Sequence, residues 1–203
     1  MRVWDVSPGY LNRQSLLGEH REIHGMISII ANHKQGYSRH PETLRWKGHL
    51  WALRRRHDWI VCEMELRGYQ HHSPAPHPGS PGRWPSDYVD PPAEQFVILG
   101  RKYERKEQGR IPLPKGHGEL RVQHEISLLA RGVEARRVRG ADDIVDLMRR
   151  PPTARGLRAA LARMGEETCD GELSALREST ALSDLALGPA LRRGLRSAKV
   201  DGR

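Results

Sequence analysis

Between residues 12 and 33 the chain reads NRQSLLGEHREIHGMISIIANH, with Leu16, Ile23, Ile27 and Ile30 at intervals of seven, four and three. That spacing lays one apolar stripe along a helix, and Asn12 stands where an N-cap belongs. Residues 49 to 67 predict a second helix, with Leu50, Leu53, Ile60, Val61 and Met64 facing inward and Gly68 as its stop. A third runs from about Glu119 to Arg139 on Leu120, Ile126, Leu128, Leu129 and Val133. It ends on Arg136, Arg137 and Arg139, where cations suit the helix dipole.

Between the second and third helices the pattern breaks. Residues 70–95 are dense in Pro and Gly and read as a loop. In 95–118 a single short apolar run would allow a strand at 95–99, but no partner is evident and the segment reads as irregular. The pair Pro151-Pro152 marks a boundary between a domain of residues 1–150 and an extension of residues 151–203, built of short Ala/Leu pieces among Gly and Pro. The expected fold is all-α: a compact three-helix core, long Pro/Gly-rich loops, and a C-terminal extension that is helical or partly disordered.

Composition sharpens this outline. With 203 residues, 37% hydrophobic and only 5% aromatic, the chain has a modest core and length to spare for loops. Its net charge is +9, and nine of the 34 basic and seven of the 25 acidic residues follow Arg150, leaving +7 for the first 150. A polyanion such as double-stranded DNA is the expected partner, and residues 1–150 the expected site. No apolar run reaches the roughly 18 residues of a membrane span, and no signal peptide is evident. The two cysteines, Cys62 and Cys169, form no CxxC pair, which fits a reducing cytoplasm without disulfides.

Across the first helix from its apolar stripe stand Gln14, Gly18, Arg21, Glu22 and Gly25. Interior glycine costs a helix about 1 kcal/mol relative to alanine, so two on one face suggest close approach by a backbone or a bulky ligand. A solvated face with incidental glycines is the alternative.

Three short motifs then follow in order. Gln14 precedes Glu19-His20-Arg21-Glu22; Leu53 to Tyr69 reads LRRRHDWIVCEMELRGY; and His124-Glu125-Ile126-Ser127 lies in the third helix. In these the chain resembles the pyrimidine-dimer DNA glycosylases of the endonuclease V type, over most of residues 1 to 140. The resemblance implies a helical enzyme without metal or other cofactor, acting as a monomer in the cytoplasm at the nucleoid. It would flip a nucleotide from DNA, cleave the glycosidic bond at a cyclobutane dimer and nick the strand at the resulting abasic site.

The nucleophile implied is the chain's own α-amine. Such groups ordinarily titrate near about 7.7–8.0, so a useful fraction is neutral at cytosolic pH. The resemblance makes the Met1 amine the nucleophile and Glu22 the acid and base, twenty residues separating them; if Met1 were removed, Arg2 would carry the amine. Bulky Arg2 should block that removal. Arg2, Gln14, Arg21, Arg54, Arg55, Arg56 and His57 are the implied DNA contacts.

Ser15, His20, Gly25 and His57 depart from the family's pattern, and the family's aromatic C-terminal segment has no clear equivalent. Two other readings stay open: a lyase or glycosylase for abasic or oxidised sites, and a nonenzymatic DNA-binding module. His71, His72 and His77 could ligate a metal, but in a Pro-rich loop without Cys or carboxylate at ligand spacing they read as solvated. Trp46, Trp51, Trp59 and Trp84 offer a stacking wedge for a displaced base or, more simply, core packing. His124-Glu125 could be catalytic, or could cap or pack the third helix.

Overall fold

In the computed structural model, residues 1–75, 81–169 and 180–185 are described; His77 and residues 170–179 and 186–203 lie outside that set. The regular elements among the described residues are all helical, with no strand among them. Helix α1 (Arg13–Ala31) begins as the pattern predicts: the Asn12 side chain accepts a hydrogen bond from the Ser15 amide at 2.9 Å. Helix α2 (Pro41–Trp46) is short and opens on proline; α3 (Leu50–Leu66) ends at Gly68, whose φ of +83° closes the helix with a left-handed turn. Helices α1 and α3 pack along their length, burying Leu16, Ile23 and Met26 against a core that includes Leu53 and Ile60.

The second half differs from the expectation. The segment read as irregular is helix α4 (Pro92–Lys102), with Pro92 at its first position, Glu94 in the first turn and Arg101 and Lys102 in the last. Gln95, Leu99 and Tyr103, four residues apart, are its buried row. The third predicted helix is two pieces, α5 (His117–Gln123) and α6 (Glu125–Leu129), followed by a 3-10 turn at Ala135–Arg137. They break at His124, whose buried ring sits 3.0 Å from Thr180 Oγ1 and 3.4 Å from Asp184 Oδ2. Gly132, at φ +72°, turns the chain again. His124 therefore packs an interhelical corner.

Helix α7 (Ala141–Met148) completes the core with Ile144, Val145 and Met148. After the prolines, α8 (Ala154–Cys169) buries Ala160 and Met164 against Ile126 and Ala130 of the α6 region. A single turn, Ala181–Asp184, also returns to the body: Asp184 accepts hydrogen bonds from Ser7 Oγ at 2.9 Å and Ser127 Oγ at 3.2 Å. The prolines thus interrupt the helices without ending the packed structure.

Candidate active site

Residues 1–6 have no regular structure, yet they are held firmly. Val3, Trp4 and Val6 are buried in the main core. Asp5 is the polar anchor: its carboxylate accepts from Arg45 at 2.5 Å, Arg149 at 2.6 Å and Gln95 at 2.8 Å, while its amide donates to Gln95 Oε1 at 2.8 Å. These partners come from α2, the end of α7 and α4. Fully bonded, a buried carboxylate of this kind is tolerated and fixes the backbone on both sides.

That anchoring sets the first nitrogen against α1. The Met1 amine lies 3.8 Å from Glu22 Oε1, and the Arg2 amide donates to Glu22 Oε2. The Met1 side chain is 11% exposed, with its sulfur accepting from Thr43 Oγ1 at 3.2 Å, whereas Glu22 is 37% exposed. An amine and a carboxylate therefore meet at the edge of an open helix face. Gln14 and Arg21 are exposed on that face. A methyl group added at Gly18 or Gly25 would meet no atom within 4 Å, so no described segment of this chain fills the space the two glycines leave.

The implied DNA contacts separate into two groups. Arg2 stands beside the amine, with its guanidinium 4.3 Å from the centre of the Trp4 ring and Nη1 2.5 Å from Asp90; Nη2 makes no hydrogen bond. Arg55, half-buried, pairs with Asp58 at 3.2 Å and edges a groove of about 650 Å³ shared with Trp51, Trp59 and Trp84. Arg54 is also half-buried, and its Nε has no hydrogen-bond partner.

Arg56 and His57, in contrast, are 1% and 2% exposed, and the expectation of DNA contacts there does not fit their burial. Arg56 donates to both Glu19 oxygens, at 2.7 and 3.1 Å, and to the Val6 carbonyl at 2.9 Å. It is the strut between α1, α3 and the N-terminal segment. Burial pushes the Glu19 carboxyl up to about 7 against the pull of Arg56. Successive helical residues point about 100° apart, so a run of three arginines cannot share one face.

His57 belongs elsewhere. Its ring meets those of His20, His24 and His71, and the ligating nitrogens of all four lie within 4.8 Å of one another. The solvated-loop reading fails for His71, because the loop after α3 folds back onto α1; His72 is exposed. The visible signal was the i, i+4 pair His20 and His24. Of the tryptophans, Trp46 and Trp59 are buried, and Trp84 stacks on Trp59 with ring centres 5.2 Å apart. Packing accounts for these three.

No described helix is long and apolar enough to cross a membrane. Compared with known proteins, residues 1–77 match the family model described as pyrimidine dimer DNA glycosylase. The resemblance drawn from Gln14, the Glu-His-Arg-Glu motif and the Leu53–Tyr69 run is thereby shown over α1 to α3, while the His124 motif lies beyond the match. No curated protein and no solved structure matches the chain.

Proposed function

We propose that this chain, whose first 77 residues match the pyrimidine dimer DNA glycosylase family, is a glycosylase with an associated lyase activity that uses the Met1 amine as nucleophile and Glu22 as acid and base. The observation that carries the reading is the placement of the Met1 nitrogen 3.8 Å from the Glu22 carboxylate, at the rim of the open face bearing Gln14, Gly18, Arg21 and Gly25. A neutral amine attacks C1′ of the damaged nucleotide, and the glycosidic bond breaks with its electron pair leaving on the base. Glu22 delivers a proton to the ring oxygen, so the sugar opens to an imine joined to Met1. The carboxylate then removes a C2′ proton, and the 3′ phosphate leaves by β-elimination.

Arg21, exposed beside Glu22, is suited to hold a flanking phosphate, and Arg2 adds positive charge beside the amine. The glycine gap on α1 gives room for an extruded nucleotide or a backbone. The net positive charge supports a duplex as substrate.

Borohydride trapping tests this reading. Untagged protein incubated with dimer-containing duplex should give a reduced covalent adduct whose peptide map places the link on the first residue. An added N-terminal glycine that leaves adduct formation and its site unchanged would overturn the amine assignment. An adduct with abasic duplex alone would replace the dimer glycosylase with an abasic-site lyase, and no adduct with either substrate would remove the enzyme reading.

A further inference from the structure

On the edge of α1 opposite Glu22, four histidines converge from three parts of the chain. His20 and His24 stand one turn apart on α1, His57 is buried on α3, and His71 follows the Gly68 turn. We propose that these four imidazoles bind one divalent transition-metal ion with a tetrahedral preference, Zn²⁺ or a close equivalent, and that the ion staples the loop after α3 to the α1–α3 pair. The inference stands apart from the proposed glycosylase chemistry.

Distances carry the argument. His20 Nε2 and His24 Nε2 are 3.2 Å apart, and His24 Nε2 and His57 Nε2 are 3.1 Å apart. Four imidazoles around zinc, with bonds of about 2.0–2.1 Å, place neighbouring nitrogens about 3.3–3.4 Å from one another. His71 Nε2, buried beside them, has no hydrogen-bond partner.

Hydrogen bonding alone cannot satisfy this group. An imidazole nitrogen carries either one proton or one lone pair, yet His24 Nε2 faces two other Nε2 atoms at once. A central cation receives one lone pair from each ring and resolves the conflict.

Neutral imidazole is the form that ligates a metal. His71 makes a hydrogen bond with the Ser73 backbone, an outer contact of the kind that orients a ligating ring. Glu65 and His72 also act on His71. Four protein nitrogens fill a tetrahedral shell and leave no position for water, so the role assigned is structural.

The test uses the full chain without a histidine tag, stripped by chelator and titrated with Co²⁺. The expected result is the intense visible absorption of tetrahedral cobalt saturating at one ion per chain, displacement by Zn²⁺, and a melting temperature raised by either ion. His71→Ala, a loop change that leaves the helical core in place by circular dichroism, should weaken binding at least about tenfold and remove the thermal shift. His24→Ala should do the same. Absence of a stoichiometric ion would overturn the proposal, as would an ion held equally well by both variants.

Discussion

Glu19 and Glu22 are carboxylates three residues apart on one helix, and their environments make them opposites. Glu19 is 1% exposed and clamped by Arg56; Glu22 is 37% exposed and faces an amine. A carboxylate buried with a rigid guanidinium holds elements together, because any movement leaves a charge unpaired in a medium that cannot solvate it. One at a rim, with oxygens reachable by substrate, is free to gain and lose protons during a reaction. The same residue type is therefore framework at one position and candidate chemistry one turn later.

Four substitutions would break or sharpen that contrast. Glu22→Gln should lower strand cleavage of damaged duplex by about 10²–10⁴-fold while leaving the thermal midpoint close to wild type; a large stability loss would place Glu22 with Glu19. Glu19→Ala should do the reverse, costing about 3–5 kcal/mol in a urea unfolding titration because Arg56 is left buried without its partner.

Asp184 asks whether the framework role extends to another buried carboxylate. Its pairing with His124, Arg131 and Ser7 outweighs desolvation and holds it below its usual 3.8. A carboxyl depressed on folding contributes stability above its unfolded value and loses that contribution as pH falls through the folded one. Asp184→Asn should therefore cost about 1.5–3 kcal/mol near pH 7, with the gap from wild type closing below about pH 4 in parallel unfolding titrations. The smallest effect is expected from replacing Glu19 and Arg56 together by Leu and Met. This pair should unfold within about 1 kcal/mol of wild type or above it, and a loss as large as that of Glu19→Ala would mean that the ion pair is needed in itself.

What the sequence disclosed was local. The N-cap at Asn12, the apolar row of α1, and the stop at Gly68 depend on neighbours within a few residues and were legible. Helix α4 was hidden because the run Phe96 to Leu99 reads equally as a strand, although Pro92 and the basic last turn marked a helix. Helix α7 carried an acidic first turn in Asp142 and Asp143, but the predicted pattern stopped at Arg139 and left it unread. The pairing of Met1 with Glu22 rested on a family resemblance, since no spacing rule brings residue 1 against residue 22. Arg56 looked like its neighbours until its burial was seen. The four-histidine cluster depends on a loop crossing back over α1, a contact between residues some fifty positions apart that no local period encodes.

The bond from Arg149 to Asp5 joins residues 144 positions apart. A ribosome makes Asp5 well before Arg149, so one of its guanidinium partners emerges only 144 residues later. An incomplete or nascent chain can build α1 and α3 from contacts already at hand, but it lacks that partner for the segment carrying the first nitrogen. Full immobilisation of the amine is thus deferred until the body that restrains it is complete.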